Sequence, residues 1–526
     1  MGSNGKRSGA CHTCRKRRVK CDLTEPVCQR CTKAKIQCDG YVEKGGLKFV
    51  DEKEKAEKRV QIKREAYLQA IHAEDEKVKA QKEIKETQSS KTHSAEQSPK
   101  PTYAVVASPK SKSRGNNTQS TFGRELSLVG FQDNVHMSFL ISKFLVGARM
   151  FTPWMLTGCK WTENCTTTQT MKALSGLYFG RINRRKKSLD YGFQCYSKAL
   201  RLLSTDLVSK KAWELPSLTN ALSLTVFETM ASPTGMGFLQ HEGGVARLVQ
   251  SSNPERFQSI PELAVFDTAR LAIVFGCADL RIRCFLEEPR WKTIPWLKHP
   301  ETKDLISLIY DRFCDFPGIL ADLEAFRTGQ LRDPVEVTAL YQAVCDQLRR
   351  LYEWRAQWEF ENAQCCSTKS SQDPESPFPH AFHFKNLLQA AGLAHYNTVL
   401  LVLLRAGRML KGPDFSFTTS SDSIPVTRTN PNLLLPQDPK TLHGVASEIL
   451  RSVEYSISEP HVSGGCFRLL FSLRAALEVY RPGCPERDYL MKTFSDIADK
   501  GGFEMSRGLT SAGICGRMIE DEHLII

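Results

Sequence analysis

Six cysteines near the start of the chain, Cys11, Cys14, Cys21, Cys28, Cys31 and Cys38, follow the pattern C-x2-C-x6-C-x6-C-x2-C-x6-C. The halves Cys11/Cys14/Cys21 and Cys28/Cys31/Cys38 have the same internal spacing, so the segment is a duplicated unit. A C-x2-C pair lets two thiolates from one turn of backbone reach one metal, and tetrahedral zinc is the usual occupant. Six ligands do not divide into four-ligand sites. One Cys₄ zinc leaves two thiols over, whereas two tetrahedral zincs need eight ligand positions, so two thiolates must bridge both metals. That describes a binuclear Zn₂Cys₆ cluster whose formal charge, two dications against six thiolates, is net negative and is partly offset by the basic residues around it. A segment of about thirty residues cannot bury enough apolar surface to fold unaided. The cluster is therefore its core, and metal binding is its folding energy.

Between the second and third cysteines runs Arg15-Lys16-Arg17-Arg18-Val19-Lys20, and Pro26 lies in the loop joining the halves. With these features residues 9–42 resemble the fungal Zn₂Cys₆ binuclear-cluster transcription factors. Nuclear-receptor and C₂H₂ patterns differ in spacing and need histidines or eight cysteines. The resemblance implies a zinc-dependent, sequence-specific regulator of RNA polymerase II transcription, acting in the nucleus on CGG-like triplets of a fungal gene set. Its implied cofactor is two Zn²⁺ ions on Cys11, Cys14, Cys21, Cys28, Cys31 and Cys38, with Cys11 and Cys28 bridging. Its implied partners are double-stranded DNA and the transcription machinery or co-regulators. It places Arg17 and Arg18 at guanine edges, where the arginine fork meets O6 and N7 together, and Arg15 and Lys20 at phosphates. It also implies a cis peptide before Pro26. The local sequence predicts a short helix over 15–20 that presents Arg17 and Arg18 outward, with Val19 packing under the cluster. A nuclear import signal is a compatible second use of the same charge. A disulfide knot is the disfavoured reading, since no secretory signal opens the sequence.

The charge distribution points the same way. The chain of 526 residues carries a formal net charge of +14, and residues 1–40 hold ten Lys and Arg against three Asp and Glu, half of that excess. Such asymmetry suits nucleic acid better than a diffuse basic surface. The longest uninterrupted apolar run, residues 399–404, is too short to cross a bilayer, so no membrane partner is expected. The twelve remaining cysteines are scattered, and those such as Cys195, Cys277 and Cys345 read as free buried thiols.

Beyond the cluster the expected organisation is a disordered tail at 1–8, the zinc domain at 9–42, a linker at 43–51, a charged helix at 52–86, a disordered linker at 87–123 and an all-helical domain over 124–526. The fold class is thus all-α behind a small metal cluster. Residues 52–86 lack Pro and Gly and carry i, i+4 pairs such as Glu54–Lys58 and Asp75–Lys79. A seam of Val60, Tyr67, Ile71 and Val78 permits a homodimer, whereas Arg64, Glu74 and Gln81 in the same seam favour a solvated single helix. Residues 87–121 are rich in Ser, Thr, Gln, Lys and Pro.

Downstream, Leu189, Phe193, Tyr196, Leu200 and Leu203 form an amphipathic stripe. So do Leu340, Val344, Leu348, Leu351, Trp354 and Trp358, in a helix opened by Asp333-Pro334-Val335-Glu336. Further helices are predicted over 134–145, 218–231, 238–249, 262–285, 384–409, 442–458 and 467–480. Residues 365–379 and 411–440 are Ser/Pro/Asp-rich and read as mobile loops. The layout is similar to the all-α regulatory domain behind fungal zinc clusters, most closely at Phe227-Glu228 and at Gly237 to Leu248. His241 there is either a pocket residue or, the favoured reading, a satisfied structural histidine. No H-E-x-x-H, Walker A, G-x-S-x-G or dinucleotide fingerprint occurs, so no enzyme is expected. His380 and His383 have no completing ligand pattern and read as structural. The alternative function is a helical small-molecule receptor or enzyme brought to chromatin by the zinc cluster. Residues 518–526 read equally as a short activation peptide or a docked terminal helix.

Overall fold

The computed structural model describes residues 11–17, 19–24, 27–38, 131–145, 164–209, 214–417, 426–460 and 462–510. The charged helix, both linkers and the terminal peptide expected from the sequence lie outside these residues. Two compact units result, Met1–Ser98 and Pro99–Ile526.

The first unit is built on two five-residue helices, α1 (His12–Lys16) and α2 (Gln29–Lys33). Its buried centre consists of Cys11, Cys14, Cys28 and Cys31, with Val19, Ile36, Cys21 and Cys38 packed around them. Among the described residues of this unit the buried centre is sulfur and not aliphatic side chains.

The second unit is helical. In chain order its main elements are α3 (Gln132–Leu140, continuing as a π-helical turn Ile141–Leu145), α4 (Cys165–Ile182), α5 (Lys186–Leu207), α6 (Leu215–Ala231), α7 (Met236–Gln250), α8 (Ile260–Leu280), α9 (Pro289–Thr293), α10 (Leu305–Arg327) and α11 (Pro334–Glu361). There follow β1 (Cys366–Ser370), β2 (His380–Phe384), α12 (Leu387–Lys411), α13 (Leu442–Arg451), α14 (Val453–Ser456), α15 (Val462–Leu477), α16 (Pro485–Asp496) and α17 (Met505–Leu509).

Local chemistry explains where these helices start. The Asp333 carboxylate accepts the Val335 amide at 2.8 Å and Pro334 opens α11. Asn386 and Gln389 form a reciprocal capping box on α12. The stripe from Leu340 to Trp358 is buried throughout, as its spacing predicts.

The helix α12 is the centre of the body, packed by α10, α11, α13 and α15. It is long and apolar enough to span a bilayer by length and composition, yet 89% of its apolar window is buried inside the body. That is the signature of a core helix.

Three elements depart from the sequence reading. The helix α4 shows no amphipathic period because it is buried on nearly all sides. Glycines let it approach α5 closely: a Cβ on Gly180 would stand 2.7 Å from the Leu189 amide nitrogen, and one on Gly192 would stand 2.7 Å from that of Leu177. The helix α10 carries Pro317 in its interior, a residue that ordinarily ends a helical reading. Third, the segment expected as a mobile loop at 365–379 contains β1, paired antiparallel with β2 from Cys366↔Phe384 to Ser370↔His380.

The other expected loop, 411–440, is also tied down where it is described. Glu359 accepts the amides of Thr429 and Asn430, both at 2.7 Å. Asn430 accepts the Cys366 amide at 3.0 Å, and Leu433 and Leu435 are buried. Polar composition misled here because the polar groups are internal caps and braces.

Candidate metal centre and nucleic-acid interface

The zinc segment repeats itself in three dimensions with a shift of 17 residues. Cys11, Cys14 and Cys21 map onto Cys28, Cys31 and Cys38, and α1 maps onto α2. The backbone bonds repeat as well. The Cys14 amide donates to Cys11 Sγ and the Cys31 amide to Cys28 Sγ, each at 3.3 Å. Val19 donates to the Cys14 carbonyl and Ile36 to the Cys31 carbonyl, each at 3.1 Å. Each half is therefore one helical turn started by a sulfur cap and closed by an apolar residue that packs on the cluster.

Helix formation begins earlier than the basic run suggests. The expected helix over 15–20 is instead His12–Lys16, because the Cys11 sulfur caps it at its start. Arg17 closes it by donating to the Thr13 carbonyl at 3.1 Å.

The sulfurs are arranged for two metals. Cys11, Cys14, Cys21 and Cys28 form one four-sulfur group, and Cys11, Cys28, Cys31 and Cys38 form another, each with all sulfurs within 4.8 Å of one another. The two groups share Cys11 and Cys28, whose sulfurs are 3.6 Å apart. Cys14 and Cys28 are also 3.6 Å apart, and Cys11 and Cys31 3.9 Å. A tetrahedral zinc with Zn–S of about 2.3 Å has an S–S edge of about 3.8 Å. The donor set thus fits two thiolate-bound zinc ions with two shared sulfurs.

Burial pushes the Cys11 and Cys14 thiols up, and Cys31 to about 12. Near neutral pH these sulfurs become thiolates by coordinating a cation, so binding releases protons. Among the described residues, these two cysteine sets are the groups of His, Cys, Asp or Glu close enough to hold a metal.

Two cross-ties that the cysteine pattern does not announce lock the halves together. Asp22, directly after Cys21, accepts the Arg30 amide of α2 at 3.0 Å and the Thr24 amide at 3.3 Å. Thr13 on α1 donates to the Gln37 carbonyl at 3.2 Å. A sequence signal existed for the first: an aspartate follows the third cysteine in both halves, as Asp22 and Asp39.

The exterior of the halves differs sharply. Lys16, Arg17 and Lys20 are exposed on the first half. Arg18 and the side chain of Arg15 lie outside the described residues. Shifted by 17, the run Arg15, Lys16, Arg17, Arg18, Lys20 becomes Thr32, Lys33, Ala34, Lys35, Gln37. Five cations become two at the matching positions of the sequence repeat.

Residues 9–46 match the family model described as the fungal Zn(2)-Cys(6) binuclear cluster domain. This segment is such a domain. It binds two zinc ions and makes the chain a zinc-cluster, DNA-binding transcription regulator. The cluster family is one of DNA-binding regulators and not of enzymes. No curated protein and no solved structure matches the chain.

In the helical body the remaining candidate residues have structural roles. His241 Nε2 lies 2.9 Å from the Tyr196 hydroxyl, which spends its own proton on Glu228. His241 therefore donates from Nε2, and burial holds its pKa down to about 4. On β2 the His383 ring lies edge-on to Tyr455, and His380 accepts the Arg451 guanidinium at its backbone carbonyl. Cys195, Cys277 and Cys345 are free thiols.

Proposed function

We propose that this protein is a nuclear regulator of RNA polymerase II transcription that recognises CGG-like triplets in a fungal gene set. In this reading Arg17 and Arg18 contact guanine edges, while Arg15 and Lys20 hold phosphates. The supporting observation is the charge difference between two halves of one repeated backbone. Both halves supply the same three cysteines, yet the basic run sits on one. A cation needed only to balance the negative cluster would have no reason to concentrate there, since the shared sulfurs sit between the halves. Charge on one exposed turn suits a helix end entering the major groove beside the DNA backbone.

Base contacts and phosphate contacts separate by experiment. The test is selection of duplexes from a random pool by the full-length, zinc-loaded chain. Enrichment of CGG-type triplets is expected. Recovery of unselected sequence at every salt concentration would contradict the reading and leave a charge-driven, sequence-indifferent binder.

A further inference from the structure

The helical body holds a small, partly open cavity. Leu222 and Thr229 of α6, Phe275 of α8, His395 of α12, and Arg468 and Phe471 of α15 are among the residues that line it. We propose that this cavity binds a small monocarboxylic acid with an apolar body, its carboxylate on Arg468 and its hydrocarbon among the phenylalanines.

The wall is apolar over most of its area. Phe275 and Phe471 stack on each other in its wall with ring centroids 3.5 Å apart, and Phe238 tilts against Phe471 at 6.3 Å. Such a surface accepts a hydrocarbon chain or a ring. The wall threonines add little attraction for an anion, because their hydroxyl protons are already spent. Thr225 donates to the Ala221 carbonyl at 3.0 Å, Thr229 to that of Val226 at 2.6 Å and Thr268 to that of Ala264 at 3.0 Å.

Arg468 is the charged side chain in this lining, and it is buried. Burial pulls its pKa down, which means that its charge is held at a cost. Tyr310 bonds it and the Asp304 carboxylate also acts on its charge, but a guanidinium has five N–H donors and can serve a phenol and a further carboxylate together. A carboxylate is the group whose two oxygens match that fork.

Beside it His395 is fully buried and its ring bonds the backbone of Arg468. Burial holds its pKa down to about 3, so it stays neutral, and its Nδ1 has no hydrogen-bond partner. A buried ring nitrogen left unmatched in a cavity wall is a place for a polar atom of a ligand. Both polar features therefore sit on α12 and α15, while α6, α7 and α8 supply the apolar remainder.

The test uses full-length, zinc-loaded protein with octanoate and 3-phenylpropionate, each against its alcohol, 1-octanol and 3-phenylpropanol, by titration calorimetry. Saturable binding of at least one acid is expected, tighter than its alcohol by about tenfold or more, the scale of a charge-assisted contact. Arg468→Met is expected to erase the preference for the acid while the alcohol still binds. Ala272→Phe, which fills the cavity from α8, is expected to remove both. Circular dichroism checks the fold of each variant, and if Arg468→Met does not fold, Ala272→Phe still locates the ligand. Failure of both acids to bind wild type, equal affinity for acid and alcohol, or acid binding undiminished in folded Ala272→Phe would each overturn the proposal.

Discussion

The two halves of the zinc segment share a backbone and differ in what they show to the outside. Each begins with a cysteine whose sulfur caps a five-residue helix, and each closes on an apolar residue, Val19 or Ile36. The first half then carries Arg15, Lys16, Arg17, Arg18 and Lys20 where the second has Thr32, Lys33, Ala34, Lys35 and Gln37. Folding in this segment is therefore assigned to the six sulfurs, and recognition is free to sit on one half without disturbing the other. A hydrophobic core could not separate the two tasks so cleanly at this size, because every aliphatic residue would be needed inside.

The largest effects should come from breaking what the halves share. Replacing Cys11 or Cys28 with serine removes a sulfur common to both four-sulfur groups, and both zinc ions and all specific DNA binding are expected to be lost. Cys38→Ser touches one group and is expected to leave one zinc. Metal analysis of the purified protein distinguishes zero, one and two. Chelation should unfold the segment while leaving the helical body intact by circular dichroism, since that body has its own continuous apolar core.

Next in size are substitutions confined to the first half. Arg18→Ala, and to a lesser degree Arg17→Ala, is expected to cost about 1–3 kcal/mol on a CGG-type duplex and much less on unrelated DNA. Lys20→Ala should weaken all duplexes about equally and lower the slope of log K against log salt by about one unit. Zinc content should be unchanged in all three. The smallest effect is expected from the second half: Ala34→Lys should leave zinc content and sequence preference as they are, and shift the salt slope by less than Lys20→Ala does.

The cluster was the most legible part of the sequence because a metal fixes ligand identity and spacing rigidly. The cysteine pattern alone led to two zincs, and the packing of Val19 followed from its being the apolar member of a basic run. The helix boundary was missed, because a sulfur cap at Cys11 is not a recognised N-cap letter. In the body, amphipathic stripes and the Asp333-Pro334 start found α5 and α11. The helix α4 was missed because close glycine packing buries all its faces and erases the period. Pro317 hid α10. The hairpin and residues 426–440 looked like loops because Ser367 and Ser370 serve there as strand residues, Thr429 and Asn430 donate their amides to the buried Glu359 carboxylate, and Asp438 accepts from Arg428 and the Leu435 amide. The cavity around Arg468 had no signal, since its lining combines three consecutive helices, α6 to α8, with α12 and α15 much later in the chain.

The most direct test of the division of labour between the halves pairs two equivalent positions, Arg18 and Lys35. Fluorescence anisotropy of full-length Arg18→Ala and Lys35→Ala would be compared on CGG-type and scrambled duplexes at several salt concentrations. The account predicts that Arg18→Ala collapses the difference between the duplexes, whereas Lys35→Ala preserves it with both zinc ions in place. Equal losses on both duplexes for Arg18→Ala, or a collapse of discrimination in Lys35→Ala, would contradict it.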